Sequence, residues 1–163
     1  KQLWEHSLAI AVWAREIARQ GRRSVESTFL CGLLFQIGRP VVLQTALDIV
    51  QKEDSSIGPE AVLRLMKAYQ TQVGMALAQQ WELPAAVLST ITQIDAQHIK
   101  SDTEVVETVR AAMVFAAYMH GKIDQERLIG HQAVVDINLY DTDVSDLLEK
   151  SDAVKETIGA LSL

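Results

Sequence analysis

The sequence predicts an all-α fold, and three observations carry that expectation. Apolar residues recur at spacings of three and four along most of the chain, the period of a helix with one buried face. The three prolines fall where helices can begin, and the eight glycines leave few obligatory breaks. The β-branched stretches "VVLQTALDIV" and "QAVVDINLY" do not hold a strand alternation for long.

Taken in order, residues 1–20 place Leu3, Trp4, Leu8, Ala11, Val12, Ile17 and Ala18 mostly three and four apart, as an amphipathic helix does. "QGRR" ends it, with cations at the negative end of the helix dipole. Ser24 is placed to cap a second helix, Val25 to Gln36. Gly38 supplies a break, and Pro40 suits the first turn of a third helix reaching about Lys52. The polar "KEDSSIG" is a loop, and Pro59 opens a long helix to about Gln80. "WELP" makes a corner, and Pro84 starts a helix to about His98. "SDTE", Ser101 to Glu104, reads as a capping box that launches a helix to about His120. Beyond it the pattern weakens, with helices expected near 124–137 and 143–160 around "NLYDTD".

The 163 residues suffice for one domain with a real core, and no repeat, low-complexity tract or linker divides them. A net charge of −6 argues against nucleic acid, whose phosphates need clustered Lys and Arg. The longest apolar run, Ala111 to Met119, falls short of the roughly 18–20 residues that span a bilayer. No membrane partner is therefore expected. A lone Cys31 among leucines reads as a buried, inert thiol, and with no disulfide available a reducing cytoplasm is expected. The chain opens at Lys1 directly on a helical pattern and reads as part of a longer protein.

Few residues point to chemistry. None of His6, His98, His120 and His131 pairs with another at a spacing of four, and no HExxH occurs. Asp95 and His98 share a helix end, His120 precedes Gly121 as a partner for the dipole, and His131 reads as a surface residue. There is no GxSxG, GxGxxG or GxxxxGK[ST]. Trp4, Trp13 and Trp81 read as core anchors, and Gly38 and Gly74 as packing or turn positions.

Three segments together carry a resemblance. "LWEHSLAIAVWAREIA", "FLCGLLFQIGRPVVLQ" and "QTQVGMALAQQWELPAAVLSTI" resemble the HD-related output domain (HDOD), a catalytically degenerate branch of the HD metal-phosphohydrolase superfamily. The W-x-H-S start, the G-L-L-x-x-I-G turn and the V-G-x-x-L-x-x-x-W-x-L-P run follow the family's order over about residues 1–100. Residues 101–163 match only weakly, and the resemblance implies a further helical lobe ahead of Lys1.

In working HD enzymes the turn reads H-D-I-G and its His-Asp pair binds metal. By that resemblance Phe35 and Gln36 hold the pair's positions here, and His6 matches the first metal-binding His. Gln70 falls where relatives place His, Ile94-Asp95 where they often have His-His, and Ala116-Ala117 where the last ligand Asp would lie. One imidazole and neutral amides cannot replace a divalent ion's hydration shell. The expectation is no catalytic residue, no metal and no cofactor. Phe35 should fill the old cage, Gln36 hydrogen-bond across it, and His6 become a buried structural histidine.

The resemblance implies a non-catalytic regulatory or output module of bacterial signal transduction, often fused to receiver domains, acting through protein partners; self-association is compatible with it. An alternative is a nucleotide sensor built on the vestigial pocket of His6, Phe35, Gln36, Arg39, Gln70 and Asp95, with Arg39 on a phosphate. A metal-dependent phosphohydrolase with a rewired site is the third reading.

Overall fold

A computed structural model describes residues 2–162. Among these it is all helical. The elements are α1 (Gln2–Gln20), α2 (Val25–Leu34), α3 (Gly38–Lys52), α4 (Pro59–Gln80), α5 (Ala85–Gln93), α6 (Thr103–Met119), α7 (Gln125–Ile129), α8 (Gln132–Asp136), α9 (Asp141–Leu148) and α10 (Ser151–Leu161).

Helix α1 is more than amphipathic. Every residue from Ser7 to Ala14 is buried, so the helix is enclosed on all sides. Four alanines, Ala9, Ala11, Ala14 and Ala18, let neighbours approach its backbone closely. It packs on α2, α6 and α10, and Trp13 meets Phe115 of α6 with ring centroids 5.1 Å apart. Trp13 is the core anchor the sequence suggested. Trp4 and Trp81 are not: they are 47% and 56% exposed.

Charged side chains tie the ends of α1 to distant segments. Arg23 Nη1 donates to Thr108 Oγ1 of α6 at 2.8 Å, and Nη2 donates to the Ile137 carbonyl at 3.2 Å. The buried Glu16 carboxylate accepts from Arg19 at 2.8 Å and Arg15 at 3.1 Å, and Lys150 lies 4.0 Å away. Pairing at this depth is what keeps a buried carboxylate tolerable. Cys31 is buried as expected, and burial pushes its thiol pKa up.

Several boundaries differ from the sequence reading. Helix α5 stops at Gln93, so Asp95 and His98 sit on a connection and share no helix. Arg110 of α6 causes this: its guanidinium donates to the carbonyls of Gln93, Ile94 and Ala96 at 2.7, 2.8 and 2.5 Å. Those are the orphan acceptors of a helix C-terminus, which a cation satisfies well. "SDTE" is not a capping box. Asp102 is the N-cap, in a left-handed conformation at φ 50° with no side-chain bond. Ser101 lies one residue outside the helix, where its hydroxyl accepts from Gln93 Nε2 at 3.0 Å. Ser24 stands at the N-cap of α2 but makes no side-chain cap bond there either.

The expected helix near 124–137 is two short helices divided around Gly130, and that near 143–160 is two divided at Glu149–Lys150. Asp124 Oδ1 accepts from Arg127 N, and Asp143 Oδ2 accepts from Tyr140 N, so each pair starts on a carboxylate. His131 is the surface residue expected, and its Nδ1 also accepts from Ala133 N and caps α8.

Helices α3 and α4 form a hairpin, and α3 has its main contacts with α4 alone. The expectation that no segment is apolar and long enough for a membrane also needs correcting. Val25–Lys52, taken as one, passes by length and composition. It folds as two helices broken at Phe35–Ile37.

Candidate functional site

The break between α2 and α3 is a tight continuation of the helix rather than a loop. Phe35 N donates to the Cys31 carbonyl, Ile37 N to Leu34 and Arg39 N to Gln36, at 3.0, 3.0 and 2.9 Å. This turn seats Phe35 and Gln36 inward, 6% and 8% exposed, and leaves Arg39 half-buried beside α4. Pro40 lies in the first turn of α3 as expected, but Gly38 is the first residue of that helix rather than a break before it, and α4 runs close against it.

Five of the six candidate residues converge. Phe35, Gln36, Arg39, Gln70 and Asp95 line one pocket with Thr71 and Met113, and its volume is only about 40 Å³. Arg39 Nε donates to Gln70 Oε1 across it. Burial lowers the Arg39 pKa from its usual value, while Asp95 pulls it the other way. Phe35 joins the hydrophobic core, as expected of a side chain that fills a former cage.

Gln36 does not do what the sequence suggested. Its Oε1 is buried and has no hydrogen-bond partner. Arg39, which lines the same pocket, donates through Nε to Gln70 instead. An orphaned buried acceptor costs roughly 1–3 kcal/mol.

His6 does not line this pocket, and it is half-buried rather than enclosed. Its ring lies 6.2 Å from that of His120, at the end of α6. Burial is the main cause of a lowered His6 pKa, and Lys122, His120 and Arg39 add repulsion. His120 and Lys122 were not singled out as site residues. They reach His6 only because α6 returns alongside α1, a contact between positions more than a hundred residues apart that local sequence does not announce.

The superfamily's metal can be tested against these side chains. Among the described residues no three His, Cys, Asp or Glu side chains come close enough together to hold an ion. Phe35 offers no donor, and the surviving imidazole faces three basic groups. A dication needs anionic or neutral donors and is repelled by such a neighbourhood. The donor set does not fit a divalent metal.

The model of the HDOD domain matches residues 1–97 of the chain. The chain belongs to the HDOD family. Its matched part ends just after α5, so the small pocket takes most of its lining from the HDOD segment and Met113 from α6 beyond it. An uncharacterized protein of Treponema pallidum (strain Nichols) is 24% identical over 138 residues, covering 78% of this HDOD chain and 27% of the relative. The chain thus spans about a quarter of that relative's length. No solved structure matches it.

Proposed function

We propose that this HDOD chain is a non-catalytic regulatory module of bacterial signal transduction, acting through contacts with protein partners. The observation that carries the reading is the composition of the former cage. A core phenylalanine and an unpaired amide occupy the turn, an arginine–glutamine pair spans the pocket, and basic groups surround the one remaining imidazole. Lowering the pKa of a bound water requires a metal, and these residues do not supply its ligands.

The α3–α4 hairpin supports a docking role. Val41, Ile49, Leu65, Tyr69 and Val73 line a groove of about 220 Å³ that is almost wholly apolar, and Ile49 and Tyr69 are 55% and 50% exposed. An exposed apolar patch of this kind is a common mark of an interaction surface. Volume counts against a nucleotide held in the vestigial pocket. A cavity of about 40 Å³ holds no more than a few waters and is too small for a nucleotide.

The test has two arms. Protein purified without chelator should carry no stoichiometric Mn, Fe or Ni and should not hydrolyse cyclic di-GMP when Mn²⁺ is added. Crosslinking in the host should capture a protein partner from the wild type but not from the Ile49→Glu/Tyr69→Glu variant. Stoichiometric metal, with hydrolysis abolished by His6→Ala, would overturn the proposal.

A further inference from the structure

Beside the 40 Å³ remnant, and sharing Ile94, Asp95 and Met113 with it, lies a far larger cleft of about 470 Å³. That volume lies within the roughly 300–1,000 Å³ typical of small-molecule sites. Much of its wall lies past the segment matched by the HDOD family: Arg110 to Ala117 of α6, Ile123, and His131 to Asp136 around α8. It adjoins the former cage, from which it takes Asp95 and Ala117, and extends well beyond it onto Ile123 and α8.

The walls are apolar and the polar groups few, which is the make-up of a ligand pocket. What matters is which polar groups are free. Arg110 is bound to three carbonyls at the end of α5, and its charge is set against that helix's negative end. His131 accepts from Ala133 N through Nδ1 at 3.2 Å, so that nitrogen is engaged. Asp136 accepts from Gln132 through Oδ1 and keeps Oδ2 open. Asp95 makes no hydrogen bond or ion pair among the described residues, and Arg39 on the far side is the cation that acts on it. The cleft thus offers an apolar floor on α6 and carboxylates from two different elements, with its one guanidinium already engaged.

We infer that this cleft binds a small apolar amine, its hydrocarbon body on Met113, Val114, Ala117 and Ile123 and its ammonium group met by Asp95 and Asp136. This stands apart from the reading of the module as a protein-docking output, since the site fills whether or not a partner is bound. Because α8 closes one side of the cleft, an occupant would bridge the HDOD segment and the helices that follow it.

The test is a matched pair of probes, 4-phenylbutylamine and 4-phenylbutyrate, which share a body and differ in the sign of the head. Each is titrated into the ¹⁵N-labelled protein while the amides of Ala117, Ile123 and Ala133 are followed. The amine should saturate these shifts and bind about tenfold tighter than the carboxylate, from two modest ion pairs. Asp95→Asn and Asp136→Asn, both at exposed positions where the fold is not at risk, should each weaken the amine and leave the carboxylate unchanged or tighter. Ala133→Trp should block both probes. Equal affinity for the two probes, preference for the carboxylate, or no saturable binding by either would overturn the inference.

Discussion

Gly38 and Gly74 bring the start of α3 and the middle of α4 into backbone contact: a Cβ on Gly38 would sit 2.8 Å from the Gly74 nitrogen and would overlap the Gln70 carbonyl. The reverse is not true. A Cβ on Gly74 would find Gly38 N and Ile91 Cγ2 at 3.5 Å, ordinary contact distances. Gly38→Ala should therefore cost about 1–3 kcal/mol by forcing the two helices apart. Gly74→Ala should be neutral or stabilise by up to ~1 kcal/mol, since alanine favours a helix interior. Urea midpoints of the two variants decide it, and equal losses at both positions would refute the asymmetry.

The former cage yields an opposed pair of expectations. Phe35 belongs to the core, so Phe35→Asp should destabilise by at least ~3 kcal/mol by leaving a charge without a counterion inside. Gln36 lies next to it with an orphaned acceptor, and Gln36→Leu should cost nothing or stabilise by about 1 kcal/mol. A loss of stability in Gln36→Leu would mean that the amide is satisfied in solution. Phe35→His combined with Gln36→Asp should still not retain Mn²⁺ through gel filtration, because the imidazole it would join is ringed by Lys122, His120 and Arg39.

Much of this was legible in the chain because it depends on local signals. The 3–4 spacing marked α1, and Pro59 fixed the start of α4. Five of the six site residues converge because the segments that carry them pack through the Gly38–Gly74 contact and α5. The rest depended on partners far away in sequence. Gln93 bound Ser101 across the α5–α6 connection, Arg110 ended α5, and His120 reached His6 through the return of α6. The large cleft was invisible for the same reason, since α8 and the α5–α6 connection approach each other only in the folded chain.

Arg110 offers a test of how α5 is closed. Its guanidinium satisfies the carbonyls of Gln93, Ile94 and Ala96. Because this helix end is only part-buried, water can replace much of what is lost, so the three bonds together contribute about as much as one buried bond from a charged donor, about 1.5–3 kcal/mol. Arg110→Met keeps the apolar stem and removes the donors, and should cost about 2–3 kcal/mol in total. Arg110→Lys should recover only part of this, because one ammonium cannot reproduce the planar fork. Amide exchange at residues 94–101 should accelerate in both variants. Unchanged exchange there would show that the connection holds itself together.

His6 makes the stability of the fold depend on pH, with a sign that follows from its surroundings. Burial, then Lys122, His120 and Arg39, lower its pKa below the ordinary 6.5. A histidine in that position binds its proton more weakly folded than unfolded, so the unfolded state gains protons and stability rises with pH. The contribution is fully present above about 6.5 and is lost as the pH falls from there through the lower folded value. The wild type should therefore lose melting temperature between about pH 7 and pH 5, and His6→Gln should flatten that decline. His120→Gln should flatten it less, because it removes one repulsive neighbour and leaves the burial, which is the larger cause. Thermal melts across this range would separate the three proteins, and identical slopes for wild type and His6→Gln would show that His6 is as well solvated folded as unfolded.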